Sequence, residues 1–247
     1  MQWSARTSRG LVRPENEDAW MVQAFSERVW LAMVADGIGG RDAGEVASAV
    51  AIKHCGEFVL HNFGKYPPGE LLIHAMKSGN RKVLKAAAET GATGMGTTLT
   101  AALLLEDEGK LYVGHVGDSR AYILSCGEIR QITEDHSLAG ELVRNGAITE
   151  EAAMTHPARN ALTAALGTEA SVPVAVYEEN LSAGDVVVLC TDGLTGLVNS
   201  REIRDIVLSM SRREVAQKLI DTANERGGYD NVTVVLLWPD IGKTERI

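Results

Sequence analysis

The chain has 247 residues, 45% of them hydrophobic and 23% charged, with a formal net charge of -9. This predicts one domain over residues 1–247 with a substantial core, and the acidic balance argues against nucleic acid or an anionic membrane as the main partner. Three cysteines without a CxxC motif, and the lack of a signal peptide or a membrane-spanning apolar run, predict a soluble cytoplasmic protein with reduced thiols and no membrane insertion.

Apolar periodicity and turn residues predict the elements of the fold. In chain order, the sequence predicts strands at 19–25 and 29–35, helices at 41–62 and 70–90, strands at 97–105, 110–116, 120–125, 128–132, 172–177 and 185–190, helices at 201–210 and 213–224, a strand at 232–238, and an unstructured end at 244–246. Residues 117–119 are predicted to join two consecutive strands. The polar residues 137–157 predict a surface excursion or a substrate-facing flap. Because strands and helices come in blocks, the pattern favours an α+β fold with antiparallel sheets and helices packed outside.

Carboxylates mark the ends of four predicted strands. Three apolar runs end in Asp36, Asp118 and Asp192, and the last strand begins just after Asp230. Asp36 is predicted to sit at a strand tip, where the following glycines let the backbone approach whatever Asp36 holds. In antiparallel sheets the four carboxylates meet at one edge, where their mutual repulsion calls for cations. An all-oxygen donor set favours Mg²⁺ or Mn²⁺ over Zn²⁺ and suits a two-metal site that activates water and clamps phosphoryl oxygens.

The N-terminal sequence Arg13-Pro14-Glu15-Asn16-Glu17-Asp18 adds a cation to these carboxylates. Arg13 carries a planar guanidinium that matches two phosphate oxygens. Glu17 and Asp18 are predicted to orient metal-bound water from behind the metal ligands.

Eight motifs in order resemble the metal-dependent type 2C protein serine/threonine phosphatases of the bacterial branch. They are Arg13-…-Asn16-Glu17-Asp18, Ala35-Asp36-Gly37-Ile38-Gly39-Gly40, Met95-Gly96-Thr97-Thr98, Val116-Gly117-Asp118-Ser119-Arg120, Ile132-Thr133-Glu134-Asp135-His136, Ala165-Leu166-Gly167, Thr191-Asp192-Gly193-Leu194 and Asp230-Asn231-Val232-Thr233. Any one motif is weak evidence, since Asp-Gly is common in turns. All eight in order, over nearly the whole chain, are a specific signal.

The resemblance implies a four-layer α-β-β-α sandwich, in which helix pairs flank two central antiparallel sheets. It implies that Mn²⁺ or Mg²⁺ supports hydrolysis of phosphoserine and phosphothreonine, by a water that bridges two metal ions. By position, Asp36 would bridge both metals and the Gly37 carbonyl would ligate one of them. Asp192 and Asp230 would complete the first site, while Asp118 and Asp192 would hold a third, weaker ion.

The resemblance also assigns phosphate binding to Arg13, and a variable flap that influences substrate choice to residues 137–160. Phosphoprotein substrates and an opposing bacterial Ser/Thr kinase would be the partners, in signalling. The sequence departs from the pattern at Ile38, where some relatives carry a histidine proposed as general acid. The general acid therefore stays unassigned, and the candidates on residue type alone are His115, His136 and His156.

Two other functions compete with a protein phosphatase. The first is a catalytically inactive module that binds phosphoproteins, which would normally show itself by the loss of a ligand such as Asp36, Asp192 or Asp230. The second is a phosphoesterase for small molecules or nucleotides. The sequence has no GxxxxGK[ST] loop, which argues against nucleotide binding of that kind.

Overall fold

The computed structural model describes residues 1–39 and 43–242. Within this part of the chain it contains eleven strands and seven helices. In chain order they are β1 (Gln2–Ser8), β2 (Asp18–Ala24), β3 (Val29–Ile38), α1 (Ala43–Asn62), α2 (Pro68–Thr90), β4 (Gly96–Thr97), β5 (Leu99–Leu105), β6 (Lys110–Val116), β7 (Arg120–Ser125), β8 (Glu128–Gln131), α3 (Leu138–Arg144), α4 (Glu150–Met154), β9 (Ala175–Asn180), β10 (Val186–Cys190), α5 (Asp192–Thr195), α6 (Ser200–Ser209), α7 (Val215–Glu225) and β11 (Val232–Trp238).

Two antiparallel sheets form the centre of the fold. The first has the strand order β1-β11-β10-β7-β8, and the second has the order β2-β3-β5-β6-β9, with β4 paired to β3. Helices α1 and α2 pack on the outer face of the second sheet, while α5, α6 and α7 pack on the outer face of the first. The predicted α-β-β-α sandwich is therefore confirmed.

The alternating side chains of each central strand serve two different cores. In β3, Leu31 and Met33 face α1 and α2, whereas Ala32 and Val34 face the other sheet. Because both faces of the strand are covered, it shows a continuous apolar run instead of an alternation of apolar and polar residues. The core between the sheets ends at the edge where the candidate carboxylates lie.

The structure corrects the predicted position of Asp36. Strand β3 runs on to Ile38, because Gly37 and Ile38 pair with Thr97 and Gly96 of β4. Asp36 therefore lies inside the strand, opposite Asp18 of β2, and not at the tip.

The structure also corrects the connection at residues 117–119. It does not join paired strands, since β6 belongs to the second sheet and β7 to the first, so Asp118 lies where the chain crosses between the sheets. The strand predicted at 172–177 begins at Ala175, because Val172 is apolar for core packing and not for strand pairing. Strand β1 and the short helix α5 were not predicted.

Two expectations fall partly or wholly outside the described residues. The helix predicted from residue 41 is described from Ala43 onward, and the predicted unstructured end at 244–246 is not described. In the described part of the chain, no helix combines the length and the apolar character needed to cross a membrane.

Candidate active site

A cavity of about 170 Å³ at one end of the sandwich brings most of the predicted site residues together. Its lining includes Arg13, Glu17, Asp36, Gly37, Asp118, Asp192 and Asp230. These residues come from the N-terminal loop, from β3, from the crossing between the sheets, and from the ends of β10 and β11. Asp18 is the exception, since it does not line the cavity. The sequence pattern thus predicted which carboxylates converge.

The backbone of Asp36 is held on both sides by threonines. Its N–H donates to Thr98 Oγ1 at 2.9 Å, and its carbonyl oxygen accepts from Thr98 N at 2.9 Å and from Thr97 Oγ1 at 2.8 Å. Thr98 Oγ1 in turn lies 2.8 Å from Ser119 Oγ. These bonds fix the place from which the Asp36 carboxylate projects.

Asp118 is positioned by the turn that precedes it. Gly117 has φ +109°, and a Cβ there would lie 2.5 Å from the Thr98 side chain, so both the conformation and the space require glycine. His136 N donates to the Gly117 carbonyl at 2.7 Å, and Gly117 N donates to His136 Nδ1 at 3.2 Å. His136 therefore holds the turn that carries Asp118.

Asp192 is the first residue of the short helix α5. The following residue, Gly193, packs directly on the other candidate segment, since a Cβ there would lie 1.9 Å from the Asn231 carbonyl oxygen. Gly37 behaves similarly, because its Cβ would lie 2.1 Å from the Gly44 carbonyl oxygen. Gly193 and Gly37 thus permit close packing between backbone segments. For the glycines after Asp36, the sequence had suggested a close approach to whatever Asp36 holds.

Asp18 lies beneath the cavity and ties the two sheets together. Its Oδ2 accepts hydrogen bonds from Thr191 Oγ1 at 2.8 Å and from Thr233 Oγ1 at 2.7 Å. Thr191 directly precedes Asp192, so Asp18 supports the segment that carries this carboxylate. The neighbouring Glu17 lines the cavity.

Arg13 reaches the carboxylates from the N-terminal loop. Its Nη2 donates to Asp230 Oδ2 at 2.8 Å, and the two side chains are 43% and 26% exposed. Burial lowers the pKa of Arg13, but the charge and the hydrogen bond of Asp230 outweigh it and raise this pKa overall. A fixed cation with further N–H donors therefore stands at the mouth of an acidic cavity.

Asn231 fastens the N-terminal loop to the end of β11. Its Nδ2 donates to the carbonyl oxygens of Arg9 at 2.9 Å and Glu15 at 2.8 Å, and its Oδ1 accepts from Glu17 N at 2.8 Å. In the sequence, Asn231 stands out only as part of a motif, and no role for it was predicted. Its bonds run to backbone groups more than 200 positions away, and no local pattern reveals such contacts.

Burial and mutual repulsion favour the neutral forms of the clustered carboxyl groups. Burial and the nearby Asp18 and Asp192 raise the pKa of Asp36 well above its usual range. Burial and Asp192 do the same for Asp118. Burial raises the pKa of Asp18 to about 7, despite its two threonine donors. Bound cations are the usual means of keeping such a cluster ionised.

The donor set suits hard divalent cations. Together with burial, the charge of Asp192 helps to raise the pKa of Asp36, and no protein donor reaches the buried atoms Asp18 Oδ1 and Asp192 Oδ1. Oxygen donors without thiol or imidazole ligands select Mg²⁺ or Mn²⁺. No three His, Cys, Asp or Glu side chains in residues 1–39 and 43–242 form a ready-made metal cage, so the cavity supplies converging donors and not a closed coordination sphere.

The three candidate histidines lie outside this lining. His115 is fully buried, with Nε2 3.1 Å from the Glu134 carbonyl oxygen. The Nδ1 atoms of His136 and His156 accept hydrogen bonds from the backbone N–H groups of Gly117 and Ala158. Ile38 lines the cavity. No histidine is therefore placed as general acid.

The predicted flap covers a second, adjoining cavity of about 230 Å³. Helices α3 and α4 form in it, N-capped by the side chains of Ser137 and Thr149. Asn160, at the end of the flap, lines both cavities. Asp118, Asp192 and Asp230 also line both cavities, so the space beneath the flap opens onto the carboxylates.

Comparisons with known proteins agree over nearly the whole chain. The family model described as Protein phosphatase 2C matches residues 8–237. The Serine/threonine phosphatase stp of Listeria welshimeri serovar 6b is 40% identical over 242 residues, covering 94% of this chain and 93% of the relative. The crystal structure of the Mycobacterium tuberculosis serine/threonine phosphatase PstP/Ppp has a TM-score of 0.82 at 39% identity, with 95% and 97% of the two chains covered. The catalytic domain of PstP in complex with two manganese ions gives 0.82 at 37%, with 95% and 96% covered.

Proposed function

Because this chain belongs to the protein phosphatase 2C family, we propose that it hydrolyses phosphoserine and phosphothreonine in proteins with the help of two Mn²⁺ or Mg²⁺ ions. The observation that carries the proposal is the single cavity in which Asp36, Asp192 and Asp230 converge beside Arg13. A metal-dependent phosphatase needs this combination, since carboxylates hold the cations and a guanidinium holds the phosphoryl group.

The carboxylates in and next to the cavity, and the Gly37 carbonyl, have proposed roles. Asp36, central in the cluster, would ligate both ions, and the Gly37 carbonyl would ligate one of them. Asp192 and Asp230 would complete the first site, and Asp118 would join Asp192 at a third, weaker one. Asp18 would keep the Asp192 segment in place through Thr191, and Glu17 would orient water at the cavity wall.

The chain's own groups supply binding, orientation and charge. When bound, the two cations lower the pKa of a water molecule and neutralise phosphoryl oxygens. Arg13 would bind two non-bridging oxygens of the phosphoryl group, and this would orient the phosphorus atom toward the carboxylates. The described lining contains no serine, cysteine or histidine side chain, and the Oγ1 of its threonine, Thr98, already accepts from Asp36 N and contacts Ser119. Because the carboxylates are proposed to hold the cations, we propose direct attack by water without a phosphoenzyme.

The test is phosphate release from a phosphothreonine peptide, measured with a chelator, with Mn²⁺, and with Mn²⁺ on an Asp192→Asn variant. Turnover should require Mn²⁺ and fall by at least about a hundredfold in the variant, because one ligand shared by several ions is lost. Asp205→Asn, on an exposed part of α6, is the matched control and should keep full activity. Thermal melting should show that all the variants are folded.

The outcome also separates the alternatives. A folded protein that releases no phosphate with any divalent ion, but binds the phosphopeptide, would be the inactive binding module. A protein that hydrolyses small phosphate esters and rejects every phosphopeptide would be the small-molecule phosphoesterase.

We propose that residues 1–247 act as one domain, since one core lies between the two sheets. We propose a cytoplasmic enzyme that removes phosphate placed by a Ser/Thr kinase in a signalling pathway. Comparing the phosphoproteome of cells with and without the enzyme, and with each kinase deleted, tests this.

A further inference from the structure

Three large apolar side chains stand exposed beside the candidate phosphate-binding arginine. Leu11 is 67% exposed, Val12 62% and Tyr229 60%, which makes them the most exposed large hydrophobic residues in the described part of the chain. Val12 directly precedes Arg13. Tyr229 directly precedes Asp230, which forms an ion pair with Arg13. We call these three residues the apolar patch.

The apolar patch is built on two backbone segments that are fastened together. Leu11 N donates to the Gly228 carbonyl at 2.8 Å. A Cβ on Gly10 would lie 2.2 Å from the Asp230 carbonyl oxygen, and a Cβ on Gly228 would lie 2.9 Å from Leu11 Cγ. The hydrogen bond holds the two segments together, and the short distances show that they are packed against each other without a gap. The exposure of Leu11 and Val12 is therefore a property of an ordered surface and not of a frayed loop.

Tyr229 is held with part of its ring against the backbone. A Cβ on Gly227 would lie 2.4 Å from Tyr229 Cζ, and Gly227 has φ +120°. Only glycine therefore leaves space for the ring in this conformation. The ring also lines the cavity beneath the flap, together with Leu197. The apolar surface thus continues from the N-terminal loop toward the flap and passes the candidate active site.

We infer that the apolar patch binds an apolar side chain of the phosphoprotein substrate, located within two positions of the phosphorylated residue. The inference rests on the proposed function, because Arg13 must hold the phosphoryl group for its neighbours to meet the flanking residues. An extended peptide advances about 3.3 Å per residue, so a flanking side chain reaches the surface next to Arg13. Continuity with the phosphate site favours a substrate segment over an unrelated ligand.

The experiment uses pairs of phosphothreonine peptides that differ only in carrying Leu or Ser at one position. The varied position is the first or the second residue before or after the phosphothreonine. The native enzyme should cleave the best Leu peptide with a kcat/KM about fivefold above its Ser partner, since burying part of one leucine gives an advantage of that order. Val12→Ser and Tyr229→Ser should each reduce this preference, and the double variant should abolish it. Tyr229→Phe should retain it, because the ring and not the hydroxyl makes the contact.

Two references keep the result specific. Leu208→Ser removes another exposed apolar side chain, 56% exposed on α6, and should leave the peptide preference intact. Hydrolysis of p-nitrophenyl phosphate, which has no flanking residues, reports the chemistry alone. The peptide preference is therefore read against the small-substrate rate of the same variant.

If the native enzyme hydrolyses p-nitrophenyl phosphate but shows no Leu preference, or the variants keep that preference, the inference is wrong and the phosphatase stands. If Val12→Ser changes the oligomeric state in sedimentation and not the preference, the patch is an interface between copies. If p-nitrophenyl phosphate is not hydrolysed with any divalent ion, the proposed function fails and the inference fails with it.

Discussion

Thr98 lines the same cavity as Asp36 and holds the Asp36 backbone in place. It accepts from the N–H of Asp36, donates its own N–H to the carbonyl of the same residue, and contacts Ser119. It therefore links the strand that carries Asp36 to the crossing that carries Asp118. Its neighbour Thr97 also donates to the Asp36 carbonyl. Of the two threonines, only Thr98 accepts a hydrogen bond from the Asp36 N–H.

Replacing Thr98 with valine should destabilise the protein and slow the reaction. The change keeps the shape but leaves the Asp36 N–H without its acceptor, which costs about 1–3 kcal/mol of unfolding free energy. Loosening Asp36 should lower kcat for p-nitrophenyl phosphate by about tenfold. Urea unfolding and steady-state kinetics measure both effects. Thr98→Ser should keep the native unfolding free energy and kcat. Thr97→Val should lower the unfolding free energy by less than Thr98→Val, because the Asp36 carbonyl keeps its bond from Thr98 N.

At the scale of elements, α1 crosses the second sheet at two glycine contacts of different character. At Gly37 in β3, a Cβ would lie 2.1 Å from the backbone oxygen of Gly44 in α1. At Gly56 in α1, a Cβ would lie 2.6 Å from the terminal methyl of Met21. Backbone cannot move aside without displacing the helix, whereas a methionine end can adopt another rotamer.

Gly37→Ala should therefore destabilise the fold by more than about 3 kcal/mol, since the helix must shift to admit the methyl group. Gly56→Ala should lie within about 1 kcal/mol of the native protein, because alanine also favours the helix. Chemical unfolding monitored by circular dichroism compares the two variants without reference to activity. Equal stability of the two would show that α1 is not clamped at Gly37.

The sequence predicted elements well where apolar periodicity and tertiary packing agree. The strands predicted at 110–116, 120–125 and 232–238 have these bounds in the structure, because both faces of each are covered by core. Strand β1 escaped prediction because it carries exposed polar residues and lies at a sheet edge. The crossing at 117–119 was misread because a short Gly-containing turn has the same local pattern whether the next strand pairs with the previous one or joins the opposite sheet.

The site was predictable to the extent that its chemistry lies in short motifs. In the sequence, Asp36, Asp118 and Asp192 each end an apolar run and Asp230 precedes one, and that pattern carried the prediction that they converge. The roles of Asn231 and Thr98 could not be predicted from the sequence, because their hydrogen bonds join segments that are distant in the chain. Pairing with β4 places Asp36 inside its strand, and pairing of that kind is a tertiary fact that no local pattern contains.

At the scale of the whole molecule, the buried His115 makes the fold sensitive to acid. Burial, with a smaller effect of His136 at a ring distance of 4.8 Å, lowers the pKa of His115 to about 3. In the unfolded chain the group titrates near its ordinary value of about 6.5. Between these two values the unfolded state binds more protons, so stability is fully present above about pH 6.5 and is lost progressively as the pH falls toward 3.

We expect His115 to account for a loss of about 2 kcal/mol of unfolding free energy between pH 7 and pH 5, at roughly 1.4 kcal/mol per pH unit below 6.5. Urea unfolding across this range measures the slope. His115→Gln should flatten it, whatever the variant's stability at pH 7, and the exposed His61→Gln should leave it unchanged. A native slope equal to that of His115→Gln would mean that other groups carry the acid sensitivity.

Cation binding should raise the stability of the whole molecule, because the carboxylates that repel one another belong to different elements of both sheets. A ligand at about 100 times its dissociation constant adds about 2.7 kcal/mol per site, or about 5–10 °C in Tm for a chain of this size. Melting curves with chelator and with increasing Mn²⁺ should show this rise. Asp192→Asn should weaken the Mn²⁺ response, since its carboxylate is proposed to hold more than one ion. It should also raise the Tm in chelator, because one repelling charge is removed from between Asp36, Asp118 and Asp230. A Tm independent of Mn²⁺ would contradict metal binding at these carboxylates, and it would do so without any assay of catalysis.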